Sequence, residues 1–179
     1  KINDQIDLLL GNYGFSNESF ISLFPLNNII TILFDFFLHF KSNSLVYLIN
    51  TLNILNGDLL IKVFKEVRPT VLYLVPYLWF TLKDRIDNDI KLWKSYTLIG
   101  CIIMIIRYIN LRYYKLSITH PCLDIFIKFF HYSISIFCKF FLSFYGLNKC
   151  HRCFNILDYL NKEYLKYFAE IDIPIYQIA

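Results

Sequence analysis

The stretch between two prolines near the middle of the chain constrains the fold most. Residues 70–75, "TVLYLV", form a continuous apolar run that stands between Pro69 and Pro76. Pro69 ends the helical pattern before it, because the residue preceding a proline is disfavoured in the α conformation. An apolar run without alternation is typical of a strand that is buried on both faces of a parallel sheet. The sequence therefore predicts a central strand covered by helices on both sides.

Short apolar runs alternate with amphipathic segments along the rest of the chain. Strands are predicted over 19–26, 44–50, 70–75, 149–156 and 173–178, and helices over 28–40, 59–67, 77–93, 95–115, 123–145 and 161–171. Asn161 is the expected N-cap of the last helix, and Gly146 is expected to end the helix before it. The order β-α-β-α-β, then a helical insertion, then β-α-β predicts an α/β fold with a mostly parallel, doubly wound sheet.

This order divides the chain into three parts of one partial α/β domain that spans residues 1–179. A βαβαβ part is predicted at 1–86, a helical insertion at 87–147 and a βαβ part at 148–179. Sheets of this type bind ligands beyond the carboxyl ends of their strands. The candidate site positions are therefore Asn28, Val75 to Tyr77 and Asn155 to Asp158.

The composition is unusually apolar, with 56% hydrophobic and 19% aromatic residues. Much Ile, Phe, Tyr, Asn and Lys with little Ala is also what an A+T-rich coding sequence produces. Spanning a bilayer takes about 20 mostly apolar residues, and the apolar segments at 20–40, 98–106 and 125–141 are too short or carry charged or polar residues. The last of them is a candidate interfacial helix. A net charge of +4 from interspersed signs gives no basic stripe, so no nucleic-acid partner is expected.

The five Cys residues lie in apolar segments, which favours reduced thiols inside the cell. Cys150 and Cys153 have C-x-x-C spacing, but a zinc site needs four ligands and a redox pair prefers a helix N-terminus. Metal binding, redox chemistry and buried thiols stay open as readings of this pair. His39, His120 and His131 stand singly among aromatic residues and are expected in the core or at packing interfaces.

Three successive parts of the chain resemble landmarks of the AMP-forming long-chain acyl-CoA synthetases, in their bubblegum-like branch, and they follow one another in the order found in that family. "SFISLFPLNNI" is similar to the family's Ser-Tyr-Leu-Pro-Leu-(Ala/Ser)-His-Ile, and "EVRPTVLYLVPYLW" to its Arg-Pro-Thr, buried strand and Val-Pro-Arg-hydrophobic-Trp. "GLNKCHRCF" and "NKEYLKYFAEIDIPIYQI" resemble its Gly-Phe-x-x-Cys strand, Lys-Glu-Thr-Leu-Glu-Phe-Phe helix and Ile-Pro-Leu-Tyr-Glu-Val strand. The resemblance covers residues 7–178, including an insertion of suitable length.

The resemblance implies a segment of a fatty acid–CoA ligase, which forms an acyl-adenylate from ATP with Mg²⁺ and then an acyl-CoA from coenzyme A. It assigns Asn28, Val75 and Tyr77 to the acyl channel, and Ile156, Leu157 and Asp158 to the adenine-binding turn. Asn28 stands where the family has His and Tyr77 where it has Arg, and residues 156–159 are bulky where the family has Gly-Ala-Ala-Pro.

The resemblance gives this segment no catalytic and no metal-binding residue. The family's phosphate loop and its Tyr-Gly-x-(Ser/Thr)-Glu motif are expected outside the 179 residues, so the segment is expected to be inactive alone and to bind no cofactor well. The alternatives are a degenerate pseudoenzyme or interaction module with peripheral membrane association, and a small multi-helix membrane protein. The expected location is the cytosol or the cytosolic surface of the endoplasmic reticulum.

Overall fold

A computed structural model provides the fold and describes residues 14–23, 32, 35, 37–49, 57–94, 97–119, 125–156 and 158–178. Its strands are β1 (Ser19–Ser22), β2 (Leu45–Leu48), β3 (Val71–Leu74), β4 (Arg152–Ile156) and β5 (Ile175–Ile178). Its helices are α1 (Leu38–Ser42), α2 (Gly57–Val67), α3 (Pro76–Lys94), α4 (Thr97–Thr119), α5 (Ile125–Ser143) and α6 (Lys162–Glu170).

The five strands form one sheet in the order β2-β1-β3-β4-β5, and every neighbouring pair is parallel. The register pairs Ser22 with Leu48, Phe20 with Val71 and Leu72 with Cys153. This confirms the predicted α/β class with a parallel sheet. The predicted helix at 28–40 is described only in part, because most of residues 24–36 lie outside the described residues.

The central strand β3 is fully buried, as the apolar run predicts: all four of its residues are inaccessible to solvent. Helix α2 ends at Val67, where Arg68 takes a positive φ of 52° immediately before the proline. At the other end of the strand, the carbonyl of Val75 accepts hydrogen bonds from the backbone N–H groups of Leu78 (3.0 Å) and Trp79 (3.2 Å). The two prolines therefore place β3 between two helices.

One face of the sheet carries the main hydrophobic core. Ile21, Leu72 and Leu74 pack there against side chains of α2, α3 and α6. The indole of Trp79 meets the ring of Phe168 edge to face, with 5.0 Å between the ring centroids. At the start of α6, the side chain of Asn161 accepts from the backbone N–H of Glu163 (3.4 Å), which confirms the predicted cap.

The other face of the sheet meets α1. The ring of Phe20 stands perpendicular to that of His39, with 4.7 Å between their centroids, and Phe15 packs against Phe20 and Phe154. His39 is buried, as expected for a core histidine. Helices therefore lie on both faces, which is the doubly wound arrangement.

Helices α4 and α5 lie in the segment predicted as a helical insertion, and α4 packs against both α5 and α6. Arg107 in α4 forms an ion pair with Glu170 in α6, with an N–O distance of 2.6 Å, and the side-chain amide of Asn110 donates to the carbonyl of Glu170 (3.1 Å). Helix α3 runs through the predicted boundary at residues 86–87 to Lys94. Among the residues that the structure describes, no helix has both the length and the apolar character needed to cross a bilayer.

Candidate functional site

The chain reverses direction across the sheet between β1 and β3. From β1 it moves outward to β2, whereas from β3 it moves the opposite way through β4 to β5. In parallel α/β sheets, a reversal of this kind marks a crevice outside the carboxyl ends of the two central strands. This switch point is where parallel α/β sheets bind ligands, so the side chains around it define the candidate site.

A buried polar cluster occupies the switch point. Ser22 ends β1, and the register places Tyr73 of β3 beside it. Both hydroxyl groups donate to the carboxyl group of Asp35, Ser22 to Oδ2 and Tyr73 to Oδ1. All three side chains are buried, so the two hydroxyls compensate the desolvation of the carboxyl group.

Burial controls the protonation of this cluster. It raises the pKa of Asp35, and the hydrogen bonds from Ser22 and Tyr73 oppose the shift. Burial and the neighbouring carboxylate raise the pKa of Tyr73 far above its usual range. The cluster can therefore hold a proton on Asp35 more readily than an exposed carboxylate does.

Sequence reasoning did not select Ser22, Asp35 or Tyr73. Asp35 is one of the polar residues that interrupt the apolar segment at 20–40. An acidic residue inside such a segment is itself a signal, because a buried carboxyl group needs hydrogen-bonding partners. Its two partners follow only from the strand register.

A polar groove of about 350 Å³ opens beside the cluster and is lined by Asp35, His39, Phe40, Asn43 and Ser44. Both ring nitrogens of His39 are buried there. Burial lowers the pKa of His39 to about 4, and the nearby backbone of Ser44 offsets only part of that shift. His39 is therefore a neutral imidazole at physiological pH.

The predicted acyl-channel residues lie at the end of β3. Val75 is half-buried and follows the last strand residue, whereas Tyr77 in the first turn of α3 is 52% exposed. Asn28 lies outside the described residues. The parallel register of β3 and β4 brings Val75 next to Ile156, so the end of β3 and the predicted nucleotide turn share one edge of the sheet.

The turn after β4 is tied down by two neighbouring side chains. Asn155 donates to the carbonyl of Asp158, and Gln177, its register partner in β5, bonds both the N–H and the carbonyl of Leu160 at 3.3 Å. Ile156 is buried in the sheet, Asp158 is exposed, and Leu157 lies outside the described residues. Within the described part of the chain, the buried Oδ1 of Asn155 has no hydrogen-bond partner.

Residues of this edge do not fit a magnesium site. Within the described ranges, no cluster of three or more His, Cys, Asp or Glu side chains is arranged to hold a metal ion.

The C-x-x-C pair lies at the amino end of β4, away from the turn that follows this strand. Cys150 precedes β4 and Cys153 lies in it, with 3.4 Å between their sulfur atoms, and burial raises the pKa of Cys153 well above its usual range. A raised thiol pKa opposes the thiolate chemistry that redox and zinc sites need.

A second cavity lies away from the sheet edge, between α3, α4 and α5. It measures about 50 Å³ and is lined almost wholly by apolar side chains, including Ile90, Ile103, Cys138 and Phe141. A single water occupies about 30 Å³ of liquid volume, so this cavity is too small for a long acyl chain.

The fold defines a parallel α/β protein with a topological switch point between β1 and β3. No family model and no solved structure matches the chain. Over 171 aligned residues it is 25% identical to the long-chain-fatty-acid–CoA ligase ACSBG2 of Xenopus laevis. The match covers 90% of this chain and 21% of that protein, so the chain spans about a fifth of the length of its relative. This distant similarity agrees with the family that the sequence motifs resemble.

Proposed function

We propose that this chain is a segment of an AMP-forming fatty acid–CoA ligase and supplies part of its acyl-binding wall. The alignment with ACSBG2 carries the proposal, because it extends over 90% of the chain. Such an enzyme uses ATP, Mg²⁺ and coenzyme A to activate a fatty carboxylate.

The end of β3 is the proposed contact with the fatty acid. Val75 and the exposed ring of Tyr77 lie at the carboxyl edge of the central strand, where a ligand chain passes in parallel α/β folds. Each methylene group buried there contributes about 0.8 kcal/mol. Tyr77 therefore contributes apolar contact area at the rim.

The turn after β4 is the proposed nucleotide-facing element, and it is expected to bind weakly. Asp158 is exposed on this turn, and the 75% exposed ring of Tyr159 follows it. These side chains are bulky where the resembled family has small residues, and their bulk opposes close approach of an adenine. A degenerate turn of this kind favours acyl binding over adenylation by the isolated segment.

Ligand titration of the 179-residue chain tests this proposal. Calorimetry with oleate is expected to show saturable binding, and ATP is expected to bind more weakly than about 1 mM, the upper end of usual substrate constants. Tyr77→Ala is expected to weaken oleate binding by about tenfold, which corresponds to ~1.4 kcal/mol. Tyr47→Ala is the matched control, because Tyr47 is exposed on the edge strand β2.

The outcomes separate a ligase segment from a scaffold without ligand. Absence of saturable oleate binding, or equal effects of Tyr77→Ala and Tyr47→Ala, would refute the acyl-binding role. Fatty-acid-dependent pyrophosphate exchange by the chain alone would instead refute its expected inactivity. Tyr159→Ala is expected to strengthen ATP binding without changing oleate binding, since it acts on the β4 turn.

A further inference from the structure

Helix α5 exposes a continuous apolar stripe. Phe129, Tyr132, Ile136 and Phe140 recur every three or four residues of α5 and so share one helix face, and Phe144 follows in the turn after the helix. They are 67%, 69%, 56%, 66% and 46% exposed, respectively. Isolated exposed apolar residues are ordinary, whereas a contiguous set marks an interaction surface.

The same helix buries a different stripe in the protein. Ile134, Cys138 and Leu142 are between 2% and 8% exposed and face the interior. The inner stripe already attaches α5 to the fold, so the outer stripe is not needed for the core. Helix α4 adds further exposed apolar side chains, namely Ile102, Met104, Ile105 and Tyr108.

The charges of these two helices have one sign. Helices α4 and α5 contain Arg107, Arg112, Lys115, Lys128 and Lys139 but no acidic residue. Arg112 and Lys139 are exposed, whereas Arg107 is engaged with Glu170. A surface of aromatic, aliphatic and basic side chains complements a lipid interface in which apolar acyl chains lie beneath anionic headgroups.

We propose that the outer face of α4 and α5 binds the surface of a bilayer that contains anionic lipids. Phe and Ile side chains of the stripe enter the boundary between headgroups and acyl chains, and Tyr132 keeps its hydroxyl at the headgroup level. Lys139 extends its ammonium group to the lipid phosphates.

Charge distinguishes this occupant from a second copy of the chain. A symmetric dimer through the stripe would bring the exposed basic side chains of both copies together, and neither helix provides an acidic partner. Anionic headgroups supply that missing charge. The face therefore fits a lipid surface better than it fits itself.

Vesicle flotation of the 179-residue chain tests the apolar part of this proposal. The chain is expected to float with vesicles of equimolar phosphatidylserine and phosphatidylcholine. The double variant Phe129→Gln with Phe140→Gln is expected to lose binding by at least about tenfold, because each ring removes apolar area from the contact. Phe40→Gln is the matched control: Phe40 is 85% exposed but lies on α1, so vesicle binding should not change.

The charge dependence is tested with a second pair of variants. Lys139→Gln is expected to weaken binding to the anionic vesicles by about fivefold and to leave binding to pure phosphatidylcholine unchanged. Lys166→Gln, an exposed lysine on α6, is the control and should bind as the unchanged chain does. Circular dichroism and unfolding midpoints must agree across the set, so that altered binding is not a folding defect.

Three results would overturn the proposal. The first is that the unchanged chain floats with neither vesicle type. The second is that the stripe variant floats as well as Phe40→Gln. The third is that light scattering shows a dimer that the stripe variant dissociates while vesicle binding is absent. These measurements use no fatty acid ligand and no nucleotide, so their failure is separate from failure of the proposed ligase role.

Discussion

Gly146 is the position at which a single added methyl group should disturb the fold most. It lies in the turn after α5 with a φ of +75°, a backbone conformation that L side chains rarely adopt. A Cβ there would stand 2.3 Å from the carbonyl carbon and oxygen of Phe64 and 2.4 Å from the backbone nitrogen of Lys65. Non-bonded atoms normally approach to about 3.5–4.0 Å. Gly146→Ala therefore requires α2 and the turn to separate.

The expected loss has two parts. The left-handed backbone alone costs about 1–2 kcal/mol with a side chain present. Separation of α2 from the turn also disturbs Phe64, whose side chain is fully buried, and disrupted core packing costs about 2–5 kcal/mol. The total, about 3–7 kcal/mol, is a large share of the roughly 5–15 kcal/mol by which native domains are stable.

Gly14 provides the matched control for the backbone part. Its φ is +57°, but an added Cβ there meets no atom within 4 Å. Gly14→Ala is therefore expected to lose only the conformational part, about 1–2 kcal/mol. Urea unfolding of both variants, followed by circular dichroism, measures the difference. If the two variants lose the same stability, the close approach of α2 to Gly146 does not exist and the argument is wrong.

Three further predictions concern charge. Because the pKa of His39 is lowered to about 4 in the folded protein, stability should fall as pH decreases from about 6.5 to 4. The full shift of the His39 pKa corresponds to about 3 kcal/mol of unfolding free energy, and solvent screening in the groove leaves about half of it. His39→Phe should remove this pH dependence, as measured by urea titrations at several pH values. The pH dependence of stability from Asp35 has the opposite sign, because its raised pKa means that the folded protein gains stability as pH falls. Asp35→Asn should therefore be more stable than the unchanged chain at pH 7 and should lose that advantage in acid. Glu170→Gln should cost about 1–2 kcal/mol at neutral pH because it leaves half-buried Arg107 unpaired, whereas Asp58→Asn, from an exposed pair at 3.3 Å, should cost less than about 0.5 kcal/mol.

The strands and the sheet class were predictable because their signals are local. The prolines on either side of residues 70–75 and the unbroken apolar run are sufficient to predict β3, and the structure places Val71–Leu74 there without exposure. Asn161 was predictable for the same reason, since a cap acts on a backbone N–H only two residues away. The domain boundaries stay predictions, as do the assignments of Val75, Tyr77, Ile156 and Asp158.

The polar cluster could not be predicted, because its members meet only through long-range pairing. Ser22 and Tyr73 become neighbours by the register of β1 with β3, and Asp35, which lies between β1 and β2 in the sequence, bonds to both. No local pattern encodes that register. A buried acid in an apolar segment predicts that partners exist, but only the fold identifies them.

Helix α5 illustrates a different limit of sequence reasoning. Two apolar stripes with helical spacing run along it, and periodicity alone does not decide which one faces the core. The fold buries Ile134, Cys138 and Leu142 and leaves Phe129 and Phe140 exposed. An A+T-rich composition explains why Phe and Ile are abundant, but it does not explain the absence of acidic residues, since Asp and Glu occur on α2, α3 and α6. This one-sided charge, rather than hydrophobicity, is the reason to expect the exposed stripe at an anionic lipid surface.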